Sequence, residues 1–203
     1  MLSRHLFFSL LVAIFCQSKA QAPAEPSLEA LRDTIVVAAD STINAQTGDA
    51  RLAASYRLIG LLKKTIKSPG SYSYSLAEIP GIIEVRQEED EFRILSWQVQ
   101  LDEDNYRYFG VIQFHADTGK FIPLIDYSDM YKRPEMVVVT PDRWLGMAYY
   151  GIKTVKSGKK TYYTLFGYDA YNSKHTRKYV DVMWWDKDTL RFGAPIFQLP
   201  NMP

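Results

Sequence analysis

The sequence predicts an α+β fold, mainly β, in which an N-terminal helical hairpin packs on two antiparallel four-stranded meanders forming a sandwich or a propeller-like array. Three observations predict it. Apolar residues recur at three- and four-residue spacing as far as Lys67. After Gly70 the alternation changes to a period of two, and the strand–turn–strand plan of Glu91 to Leu124 returns in Lys159 to Phe197. An apolar share of 47% and an aromatic share of 14% are enough to build a core, and 203 residues suit one domain.

Residues 1–20 read as a signal peptide. Arg4 and His5 precede the apolar run Leu6 to Phe15, and Ser18-Lys19-Ala20 offers small residues for cleavage after Ala20. The expected product is periplasmic or extracellular. A lipoprotein anchored at Cys16 is the less favoured alternative, because Phe15 stands where a small residue is wanted. Cys16 is the one cysteine, so cleavage at Ala20 excludes a disulfide framework, a cysteine nucleophile and a thiolate metal site. The net charge of +1 provides no field for a phosphate backbone, so no nucleic-acid partner is expected. No later apolar run has the length of a membrane span.

Residues 21–26 form an Ala/Pro/Glu leader, expected to be mobile. The hairpin covers residues 27–68. Ser27 caps a first helix with Leu28, Leu31, Ile35 and Ala38 or Ala39 inward. Asp49 caps a second, with Leu52, Tyr56, Ile59, Leu62 and Ile66 inward and lysines near its C-terminus, before Ser68-Pro69-Gly70 ends it.

The β region covers residues 71–203. Ser71 to Leu76 reads as a short strand, and the first meander spans about 82–125, with polar turns at Gln87 to Glu91, Asp102 to Asn105 and Asp117 to Lys120. Pro134 makes residues 126–142 a connector. The second meander spans about 144–197, with Gly146 and Gly151 as bulges or close-approach points. At an offset of seventy, Phe92 matches Tyr162, Leu95 matches Leu165 and Phe109 matches Tyr179, so the chain reads as an aromatic-rich, all-β repeat with a helical addition.

Little of this carries chemistry. Asp126 and Asp169, with Glu84 and Asp129, lie near strand ends, where two carboxylates in one cleft could serve glycoside hydrolysis. His175 at a loop tip and His115 at a strand end are the remaining acid–base candidates, but no metal-ligand spacing joins them. No metal and no cofactor is expected. Adjacent aromatics on a strand face opposite ways, so an outward strip drawn from Tyr149, Tyr150, Trp184 and Trp185 is the candidate binding surface.

The segments FRILSWQ, YRYFGVIQF and KKTYYTLFGYDAYNSKHTRKYVDVMWW resemble secreted proteins of the Bacteroidota. The resemblance implies compartment and taxonomy and carries over no functional residue. The expected role is an exported, non-catalytic binding or structural protein of the cell envelope with an envelope protein or glycan as partner. The alternative is a hydrolase acting on cell-wall or dietary glycan through loop carboxylates.

Overall fold

The computed structural model describes residues 27–116 and 119–197. The expectations for the signal peptide, its cleavage and the leader therefore lie outside the described residues. Two helices, α1 (Leu28–Asn44) and α2 (Gly48–Lys67), precede eight strands: β1 (Ile83–Arg86), β2 (Phe92–Gln100), β3 (Tyr106–Phe114), β4 (Phe121–Ile125), β5 (Ala148–Ser157), β6 (Lys160–Asp169), β7 (Arg177–Asp186) and β8 (Thr189–Phe192). They form two four-stranded antiparallel sheets in simple meander order. Three short 3-10 turns fill the connector between them. "All-β repeat" is thus the wrong description, because helices of 17 and 20 residues supply one wall of a core.

Ser27 caps α1 as its sequence predicts, its Oγ accepting from Ala30 N at 3.2 Å. The cap of α2 is Thr47, not Asp49, and Gly48 opens the helix rather than interrupting it. The reason is tertiary: a Cβ at Gly48 would fall on the carbonyl oxygen of Leu101. The stripe that α2 buries is Ala54, Ser55, Leu58, Leu62, Thr65 and Ile66, so Tyr56 and Ile59, expected inward, stay exposed.

Ser71 to Leu76 forms turns, not a strand. Its carbonyls are claimed by Arg93, a fully buried β2 side chain that donates to Ser71 O at 2.8 Å and Tyr74 O at 2.7 Å. The same guanidinium meets Gln113 Oε1 and the buried carboxylate of Glu84, which also accepts from Arg86 and Leu76 N. Glu84 is therefore structural rather than a solvated loop acid. Burial pulls the Arg93 pKa down, and Glu84 opposes that pull.

Two apolar clusters sit on opposite faces of the first sheet. Leu95, Trp97, Val99 and Val111 pack under the helices with Ile35, Leu58 and Leu62. Phe92, Ile94, Tyr108 and Ile112 face the second sheet, meeting Tyr163, Leu165, Met183 and Phe192.

The repeat shows its geometry here. Adding seventy to both members of the pair Phe92↔Phe114 gives Tyr162↔Trp184, and Trp97↔Phe109 likewise gives Gly167↔Tyr179. The central ladders share one register. The faces do not correspond, because even-numbered residues of β2 and β3 enter the shared core whereas odd-numbered residues of β6 and β7 do so. The sheets are consequently stacked head to tail, as in the propeller-like arrangement. Odd faces point towards the helices, and the even face of the second sheet ends the stack.

Candidate binding face of the second sheet

That terminal face is built from β5, β6 and β7. Leu165 is inward, so period-two geometry turns Phe166 outward; Val180 and Lys178 follow on β7, opposite Phe166 and Tyr168. A bulge between Tyr149 and Gly151 leaves Tyr150 on the same side, 46% exposed. The Tyr150 and Phe166 ring centroids lie 6.5 Å apart, and Lys178 Nζ sits 6.0 Å from the Tyr150 centroid. Farther along, Trp184 pairs across the strands with Tyr162, both half-buried. Lys153 and Lys160 stand at the margin, and Lys153 forms an ion pair with Glu88 from the β1–β2 turn. That turn is not a free solvated loop, since Thr154 N also donates to Glu88.

The sequence-predicted binding residues divide between two sides. Tyr150 and Trp184 share the outer face, whereas Tyr149 is fully buried. Its hydroxyl accepts from Trp144 Nε1 and donates to Asp181 Oδ2, each at 2.8 Å. Asp181 also accepts from Val182 N and Gly193 N, tying β7 to the chain beyond β8. Burial raises the pKa of both groups, the Tyr149 hydroxyl far above its ordinary range. Trp185 points the other way, near Phe114, and lines a shallow cavity of about 640 Å³ with Lys120, Ile122 and Leu190.

The carboxylate candidates act as loop caps. Asp126 accepts from Tyr108 N, Ser128 N and Ser128 Oγ at 2.7–2.9 Å, and Gly146, at φ +64°, gives its carboxylate room that a Cβ would take. Asp169 accepts from the Tyr108 hydroxyl at 2.8 Å and from Tyr171 N. Both therefore flank Tyr108, one at each end of that residue; both oxygens of Asp126 and Oδ1 of Asp169 are engaged in holding chain. Asp129 pairs with Arg107. His175 is exposed and closes an Asx-type turn with Asn172. His115 stacks on Tyr72 with centroids 4.4 Å apart, and its Nδ1 lies 2.9 Å from Asp90 O; the carboxylate nearest it in sequence, Asp117, lies outside the described residues. Among the described residues no group of three or more His, Cys, Asp or Glu could hold a metal ion. No helix among them is long and apolar enough to cross a membrane.

Sequence reasoning missed Phe166, Val180 and Lys178. The signal existed: once Leu165 is assigned inward, its strand neighbours and their cross-strand partners are outward. Comparison with protein-family models, curated proteins and solved structures finds no match for this chain.

Proposed function

We propose that the protein is an exported, non-catalytic binding protein of the cell envelope that holds a glycan chain on the outer face of its second sheet. One observation carries this reading: the terminal face of the stack keeps Tyr150, Phe166 and Val180 exposed on ordered strands, beside Lys178 and the Tyr162–Trp184 pair. Aromatic rings on rigid strands provide large contact area at small ordering cost, and sugar rings present C–H faces that pack on them. Lysines at the margin supply donors to hydroxyl and carboxylate oxygens. Export is read from residues 1–20.

The test is affinity electrophoresis of the full chain through gels containing purified envelope polysaccharides, neutral and acidic. Retardation is expected with at least one polymer, falling about tenfold in apparent affinity for the double variant Tyr150→Ala, Trp184→Ala, with its circular dichroism unchanged. Free migration of the wild-type chain in every gel, or equal retardation of the variant, overturns the reading.

A further inference from the structure

The helical hairpin covers the first sheet unevenly. It is tied down over β2, where Trp97 Nε1 donates to Ser55 Oγ at 2.9 Å and Arg51 Nε donates to Gln100 O at 2.6 Å. The strip beyond, on β3 and β4, is left as the floor of a cavity of about 560 Å³, with Phe109, Phe121, Pro123 and Ile125 below and Tyr56, Ile59 and Lys63 of α2 as its wall. That volume falls among those of small-molecule sites, which are mostly apolar with a few placed polar groups.

The apolar stripe of α2 is wider than the surface the protein itself covers. Tyr56 and Ile59 continue the helical spacing of Leu52 and Leu62 yet are 61% and 36% exposed, and Ile125 across the groove is 50% exposed. Tyr56 stands edge-on to Phe109 at 6.2 Å, and Phe109 stacks on Trp97 at 5.6 Å, so the wall and floor form one aromatic surface. The charged lining is mainly cationic. Asp126, its one acid, is 8% exposed and bonded to Tyr108 N and Ser128, while Arg107 is matched by Asp129. Lys63 has no ion pair among the described residues, and Lys67 follows one helical turn later, where Gly119 approaches it.

An apolar trough with an uncommitted ammonium on its wall complements an anionic amphiphile. We propose that this cavity binds a free long-chain carboxylate, its single acyl chain lying between α2 and the β3–β4 strip and its carboxylate at Lys63. The site is separate from the outer face of the second sheet and stands or falls independently of it.

The test is calorimetric titration of the full chain with octanoate, decanoate, dodecanoate and dodecan-1-ol, all below their micellar or solubility limits. One ligand per chain is expected, with affinity rising roughly tenfold for each added pair of methylenes. Ile59→Trp, which fills the trough from its rim, should weaken acid and alcohol alike by about tenfold. Lys63→Glu should weaken dodecanoate about tenfold and leave the alcohol unchanged, with both variants melting like the wild type. Absence of saturable binding, insensitivity to Ile59→Trp, or an equal response of acid and alcohol to Lys63→Glu overturns the proposal.

Discussion

The two meanders share a register and differ in what covers them. The first is covered on both faces, by its sister sheet on one and by helices over β2 on the other, whereas the second is covered on one and on its outer face buries Thr164 and Val182 between exposed neighbours. Their polar interiors differ accordingly. The first sheet holds a buried cation, Arg93, that gathers Glu84, Gln113 and the carbonyls of the 71–74 turns. The second holds a buried acid, Asp181, that gathers donors from Tyr149, Val182 and Gly193. A buried charge can act as an organiser of irregular chain, provided enough partners converge on it to offset its desolvation.

The largest way to break the comparison is Arg93→Ala. It removes one of the two guanidiniums on the buried Glu84 carboxylate, leaving Arg86, strands Gln113 Oε1 and frees the loop between α2 and β1, so a loss of about 3–5 kcal/mol is expected in chemical denaturation. A cost below about 1 kcal/mol would show that the turns hold without the guanidinium.

Neighbour pairs sharpen it. In the first meander Ile94 and Leu95 are both fully buried, and each should cost about 2–5 kcal/mol when cut to alanine. In the second, Leu165→Ala should cost as much while Phe166→Ala costs about 1 kcal/mol, since Phe166 is 36% exposed. Equal costs for Leu165 and Phe166 would mean that something covers the outer face.

The smallest effect is on pH dependence. Burial raises the Asp181 pKa in the folded state, so folding favours its protonated form. Its contribution is complete below the unfolded carboxyl value and is lost as pH rises through the raised folded value. Asp181→Asn has no such titration. Subtracting the variant's stability from the wild type's should give a difference that falls steadily as pH rises from the acid range; a flat or rising difference would contradict the assignment.

Much of the layout was legible along the chain because each signal is local. Ser27 sets a cap, the switch from helical to two-residue spacing after Gly70 separates hairpin from sheets, and the polar turns divide the strands. The offset of seventy also recovered the hydrogen-bonding register of the central ladders. It could not give the faces, because a period-two pattern with large side chains on both sides does not say which side meets a partner. Hence the pattern does not distinguish buried Tyr149 from exposed Tyr150, nor mark Phe166 as outward. Asp126 and Asp169 do lie at the ends of β4 and β6, but besides the near neighbours Ser128 and Tyr171 each is engaged by Tyr108 of β3, which is distant in sequence.

By itself, then, the sequence determined where the two helices and eight strands lie, though not that residues 71–76 turn rather than extend, and which strands neighbour which, since backbone periodicity and turn chemistry act over a few residues. Only the tertiary structure decided that the sheets stack head to tail, that the hairpin lies over β2 rather than β4, and that Glu84 and Tyr149 belong to the interior. Those outcomes follow from which apolar face is buried against which and from where a buried charge finds its partners, and both join residues that the chain keeps far apart.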